Sequence, residues 1–143
     1  MTSALKHRNL PSLLLQARES IMGHTRPHLR KSGLSDQQWR VLRALGDGQQ
    51  LETGQVAKDA FLLGPSLTGV LTRMERDGLI QRTKDPADQR RTVVSATTEG
   101  LELVKRLSRE IAQHYADLEE TYGKGKLVEL YKLLDELIAL ERQ

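Results

Sequence analysis

Between Gly64 and Gly78 apolar residues recur at Leu67, Val70, Leu71 and Met74, the i, i+3, i+4, i+7 spacing of one helical face. Pro65 suits the first helical position, where a missing N–H is no loss, and Gly78 suits the exit. The opposite face carries Ser66, Thr68, Gly69, Thr72, Arg73 and Arg76: short hydroxyls, one position without a side chain, and guanidinium groups. Such a face approaches a polyanion closely, donates to phosphates and reads base edges. The plainer reading is an amphipathic helix whose polar face meets only water. Its neighbours decide between the two.

Residues 1–8 read as a basic arm. Asn9 then caps a helix with Pro11 in its first turn and Leu14, Ala17, Ile21 and Met22 at burial spacing. Pro27 is expected to kink or end that helix. Ser35 and Gln38 form a capping box for a second helix with Val41, Leu42 and Leu45 inward, stopped by Gly46-Asp47-Gly48. A short helix over 53–59, a tight turn over 61–64 and the 65–77 helix make a helix-turn-helix. After Gly78 the period changes. Residues 79–84 and 91–97 alternate like strands around the turn chemistry of 85–90, so a hairpin follows directly as a wing. It carries Arg82, Lys84, Arg90 and Arg91; a solvated charged hairpin is the rival reading. Thr97 or Thr98 caps a long helix with Leu101, Val104, Leu107, Ile111, Tyr115, Leu118 and Tyr122 in phase, broken at Gly123-Lys124-Gly125. The last helix is apolar over more than one face, through Leu127, Leu130, Tyr131, Leu133, Leu134, Leu137, Ile138 and Leu140. A second protomer is its simplest cover.

The fold class is therefore mainly α with a small β-wing. Aromatic residues make up only 3% of the 143, which favours leucine-rich helices packing on each other or on a second copy over one large core. No apolar run reaches membrane-spanning or signal length, so the chain is expected to be soluble and cytoplasmic. Cysteine is absent, which removes disulfides and thiolate metal sites. The net charge of +3 is uneven: residues 1–51 carry eight Lys/Arg against three Asp/Glu, 52–97 seven against six, and 98–143 seven against ten. A polyanion partner fits the basic front, but the central region must grip by placement rather than bulk charge.

Two segments, PSLTGVLTRMERDGLI and DPADQRRTVVSATTEG, resemble the recognition helix and the wing signature of the MarR family of dimeric transcription regulators. In the second, an Asp-x-Arg pair (Asp88 and Arg90) precedes a strand, a Thr and a Gly. LLLQARESIM and SDQQWRVLRAL resemble the branch controlling aromatic-acid catabolism, such as homoprotocatechuate and hydroxycinnamate operons. The resemblance implies a winged helix-turn-helix flanked by dimerisation helices: a dimerisation helix over 1–34, the DNA-binding domain over 35–97, and dimerisation helices over 98–143. It also implies two winged domains on consecutive major grooves of double-stranded DNA, a palindromic operator, and a ligand pocket between the dimer region and the DNA-binding domain.

On this frame Ser66, Thr68 and Arg73 are the expected base readers, with Arg76 near phosphate. Arg90 is expected in the minor groove, oriented by Asp88, with Arg91 beside it. Arg18 interrupts a burying face and needs a carboxylate, either an internal Glu or that of a ligand. Trp39 is either hinge packing or the aromatic wall of a pocket. Gln16, Gln38 and His28 are candidates for a phenolic hydroxyl, with Arg40 and Arg43 as further cations. His24 and His28 stand at i, i+4, but Pro27 lies between them and no third ligand is near, so pocket or surface histidines are expected and no metal. His7 and His114 read as isolated. Gly123-Lys124-Gly125-Lys126 lacks phosphate-loop spacing, and no nucleophile, metalloprotease or paired-carboxylate motif occurs, so neither enzyme activity nor a cofactor is expected. Two functions stand: a homodimeric repressor of an aromatic-acid operon, released by a small aromatic carboxylate or its thioester, and a constitutive or architectural DNA-binding dimer.

Overall fold

A computed structural model describes residues 8–140; the basic arm expected over 1–8 lies outside them except for Arg8. The elements are α1 (Leu10–Lys31), α2 (Asp36–Leu45), β1 (Leu51–Glu52), α3 (Thr53–Ala60), α4 (Gly64–Arg76), β2 (Ile80–Lys84), β3 (Thr92–Ala96), α5 (Thr98–Leu118) and α6 (Lys124–Ile138). A five-residue π-turn, Glu119–Gly123, joins the last two helices, and Gly123 leaves it at φ +114°. No helix is long and apolar enough to cross a membrane among the described residues.

α1 starts where its cap predicts: Asn9 Oδ1 accepts the Ser12 N–H at 3.1 Å. Pro27 does not end it. The bond lost is to the carbonyl of Gly23, an exposed position where solvent supplies a donor, and the helix continues to Lys31. It stops instead at Gly33, φ +71°, where the Leu34 N–H reaches the Leu29 carbonyl and both leucine side chains are buried. Leu14 and Ile21, spaced for burial, are exposed in the single chain, and Thr25 and Leu29 are the buried residues of α1.

The capping box of α2 is complete, Gln38 N–H to Ser35 Oγ at 3.1 Å and Ser35 N–H to Gln38 Oε1 at 2.9 Å. One core runs through Val41, Leu42 and Leu45 of α2, Val56 and Ala60 of α3, and Leu67, Val70, Leu71 and Met74 of α4. It continues into Ile80, Val94 and Leu107. The predicted inner face of α4 is buried at all four positions.

The turn between α3 and α4 is unusual. Phe61 closes α3 at φ +53°, in the left-handed conformation that glycine normally supplies, at a cost of about 1–2 kcal/mol. Leu62 is buried beneath it, with its N–H on the Ala57 carbonyl at 3.0 Å. Leu63 holds the N-cap position of α4 and offers no side-chain bond, where Ser, Thr, Asp or Asn would add about 1 kcal/mol.

The sheet is antiparallel in the order β1-β3-β2, with Ile80 opposite Ala96, Lys84 opposite Thr92 and Leu51 opposite Val94. The hairpin matches the sequence pattern; β1, two residues long, was not anticipated. α4 exits through Gly78 at φ +77°, with the Leu79 N–H on the Met74 carbonyl. Thr97 then joins this exit to α5. Its hydroxyl donates to the Gly78 carbonyl at 2.6 Å and accepts the Gly100 N–H at 3.1 Å, while its own N–H meets the Leu79 carbonyl at 3.0 Å. Gly100 lies so close that a Cβ there would stand 2.2 Å from the Leu79 oxygen. The Thr-x-x-Gly of the wing signature is a weld between α4 and the long helix.

Candidate nucleic-acid interface and an interhelical cleft

Ser66, Thr68, Arg73 and Arg76 are all exposed on the face of α4 opposite the core. The Thr72 hydroxyl turns back onto the Thr68 carbonyl at 2.8 Å, and Arg76 Nε lies 3.3 Å from Asp77. The wing is fastened to α4 by Arg82, whose Nη2 meets Glu75 Oε1 at 2.9 Å and whose N–H meets Glu75 Oε2 at 3.2 Å. These bonds hold the Glu75 carboxyl below its usual range. Arg82, one of the four charges the sequence places on the wing, is neutralised within the fold.

At the wing tip Asp88 takes a fork from Arg90, Nε to Oδ1 at 3.1 Å and Nη2 to Oδ2 at 3.4 Å, and also accepts the Arg90 N–H at 3.0 Å. Arg90, side chain first and backbone second, lowers the Asp88 carboxyl below its ordinary range. The Arg90 side chain is nonetheless 91% exposed, so the fork aims a guanidinium outward rather than burying it. Arg91 lies 3.9 Å from Asp88 and pairs with Glu52 at 2.9 Å, tying the wing to β1. Asp88→Ala is expected to weaken DNA binding although it removes a negative charge beside a polyanion. A fluorescence-anisotropy titration showing tighter binding would mean that bulk charge, not orientation, governs the tip.

A cleft of about 360 Å³ opens between Arg18, Met22 and Thr25 of α1, Asp36, Trp39, Arg40 and Arg43 of α2, Asp59 of α3, and Ile111 and Tyr115 of α5. A second, of about 560 Å³, shares Trp39, Arg43, Ile111 and Tyr115 with it. Trp39 is 5% exposed and forms part of the wall of both, with the Arg43 guanidinium 6.0 Å from its ring centre. Arg18 already has a carboxylate: its Nη2 donates to both oxygens of Asp36, at 3.0 and 2.9 Å. The partner is thus an internal Asp, where a Glu or a ligand was expected. Asp36 stands 3.8 Å from Arg40 Nε, too far to satisfy it, and that nitrogen is buried without a hydrogen-bond partner.

The other candidates fall elsewhere. The Gln38 carbonyl is committed to the cap of α2, and Gln16 is exposed on α1 away from the lining of this cleft. His28 Nδ1 meets Glu110 Oε2 at 3.1 Å, and its Nε2 lies 2.7 Å from His114 Nε2. His24 stacks on His114 at 5.6 Å. His114 is therefore not isolated but part of the joint between α1 and α5, reached because α1 runs unbroken past Pro27; His7 lies outside the described residues. Among the described residues no group of three or more His, Asp or Glu is placed to hold a metal ion. Asp36 and Tyr115 were missed as lining residues. The i, i+4 pair Asp36–Arg40 was the available signal for the first, whereas Tyr115 read only as part of an apolar stripe.

A MarR family model matches residues 32–91. The chain is 40% identical to the HTH-type transcriptional regulator FarR of Neisseria gonorrhoeae, over 99% of its own length and 97% of that protein's. It is 42% identical to the homoprotocatechuate degradative operon repressor of Escherichia coli, over 94% and 90% of the two chains. The crystal structure of NadR in complex with 4-hydroxyphenylacetate superposes with a TM-score of 0.85 at 40% identity, covering 99% of this chain and 100% of that one. These relatives are regulators, not enzymes. At 40–42% identity over nearly the whole length of these regulators, the chain belongs to the MarR family of winged helix-turn-helix transcriptional regulators.

Proposed function

We propose that the protein is a homodimeric repressor of an aromatic-acid catabolic operon, released from a palindromic operator by a phenolic or aromatic carboxylate or its thioester. The observation that carries this reading is a cleft walled by Trp39 and lined by Arg18, Arg40 and Arg43, in which the Nε of Arg40 has no hydrogen-bond partner. The Arg40 side chain is 31% exposed, and a carboxylate that reached its guanidinium would add charge-assisted hydrogen bonds that Asp36, at 3.8 Å, does not make. Arg43 adds a second cation, Tyr115 a hydroxyl, and the Trp39 indole a flat apolar wall. The names of the relatives support the ligand class, since one was solved with 4-hydroxyphenylacetate and another represses the homoprotocatechuate operon. Arg18 then acts by holding Asp36 rather than by meeting the ligand first.

The cleft lies where α1, α2 and α5 converge, and α5 is welded to the exit of α4. A ligand that prefers one arrangement of these helices therefore shifts the spacing of the two recognition helices. A coupling of about 1–3 kcal/mol changes operator affinity about 5–150-fold, and operator DNA must weaken ligand binding by the same factor. Calorimetric titration of 4-hydroxyphenylacetate, hydroxycinnamate and benzoate, with and without operator, measures both sides. Arg40→Gln is expected to lose most of the ligand affinity and Arg18→Ala less. If Arg40→Gln binds as wild type does, the carboxylate lies elsewhere; if no acid or thioester binds, the protein is a constitutive DNA-binding dimer. On the DNA side, Arg73→Ala is expected to lower operator affinity by about 1–3 kcal/mol and random-duplex affinity much less. Equal loss on both would make Arg73 a phosphate contact.

A further inference from the structure

The turn entering α4 sets two large apolar side chains in solvent: Phe61 is 77% and Leu63 is 84% exposed. Neither belongs there on local grounds. Phe61 adopts φ +53° at the exit of α3, a glycine position, and Leu63 fills a cap position without capping. Leu62 between them is 2% exposed and already anchors the turn, so packing does not require its neighbours. Two departures from preferred chemistry, side by side and both exposed, indicate a use outside the folded chain.

Their place indicates which use. Leu63 directly precedes Gly64, Pro65 and Ser66, at the end of α4 that leads its exposed Ser66, Thr68 and Arg73. Thymine differs from every other base in the major groove by a 5-methyl group, which polar side chains do not read and apolar ones do. We infer that Leu63, flanked by Phe61, packs on thymine methyl groups at one edge of each operator half-site and makes that edge thymine-specific. This rests on α4 being the helix that enters the groove. The hydroxyls and arginines of α4 read polar base edges, and the turn adds the single apolar mark that duplex DNA displays.

The test uses full-length protein and a duplex selected by wild type from a random pool, with each thymine replaced in turn by deoxyuridine, which lacks only the methyl. Wild type is expected to lose about fourfold in affinity at one or two positions per half-site, the value of one buried methyl. Leu63→Ser restores a side-chain cap. It is expected to raise the melting temperature by about 2–4 °C, to bind the native duplex several-fold more weakly, and to show no deoxyuridine effect at those positions. A Leu63→Ser protein that keeps wild-type affinity, or that responds to deoxyuridine as wild type does, overturns the inference while leaving α4 as the recognition helix. Failure of wild type to select any duplex overturns that reading as well. Phe61→Gly provides the second variant: greater stability with a reduced methyl effect supports the pair, and an unchanged methyl effect removes Phe61 from it.

Discussion

Gly100→Ala is expected to destabilise the fold by about 2–3 kcal/mol, the range for forcing an atom into a site with no room. The glycine is needed for space, not for backbone freedom, since its φ lies outside the left-handed region. A Cβ there would stand 2.2 Å from the Leu79 carbonyl oxygen, and that carbonyl is fixed. It accepts the Thr97 N–H, and the N–H of the same residue closes α4 on Met74. Relief therefore requires moving the exit of α4 or the start of α5. Helix propensity alone predicts the opposite sign, because alanine is favoured over glycine by up to about 1 kcal/mol. Gly69, in the middle of α4 with open space around its Cβ position, is the control: Gly69→Ala should stabilise. Urea titration of both variants decides the matter, and a Gly100→Ala midpoint equal to wild type would show that the junction yields.

Placing aspartate at Leu133 and Leu137 of α6 is expected to give a monomer that loses operator affinity by about 10²–10⁴-fold. In the single chain these two are 54% and 40% exposed, and Val128, Ile138, Leu10 and Leu15 are each half-exposed or more. So many exposed large apolar side chains on two helices are expected to form an interface in a soluble protein. Affinity falls because a palindrome binds two linked winged units, and unlinking them removes the effective concentration that the first contact gives the second. Sedimentation velocity at micromolar concentration reads the assembly, and far-UV circular dichroism separates loss of assembly from loss of fold. A helical monomer with wild-type operator affinity would defeat the dimer reading.

Much of this architecture was legible because it is carried by short-range chemistry. The four apolar positions of α4, the capping box of α2, the Asn9 cap and the Gly78 exit each lie within one or two turns, and each is where the sequence puts it. What was not legible depends on partners far along the chain. The Arg18–Asp36 pair spans α1 and α2, His28 meets His114 on α5, and the clash that makes Gly100 necessary comes from Leu79. Periodicity ranks Leu14 and Ile21 as core residues by hydrophobicity, yet both are exposed in the single chain. Pro27 fails to end the helix for a different reason: its cost of about 3 kcal/mol is offset by the packing of Leu29 and Leu34, which lie beyond it.

The Arg82–Glu75 pair bears on how the protein responds to ionic strength. Binding to duplex DNA releases condensed counterions in proportion to the phosphates neutralised, with a slope of about −0.9 per contact. Arg82 is paired with its own carboxylate, Glu75, and is expected to release none, and Arg91 is partly matched by Glu52. Each winged unit is thus expected to engage few idle cations, to grip unrelated sequence weakly and to show a shallow salt slope. Selectivity in a crowded genome would then come from withholding charge as much as from supplying it.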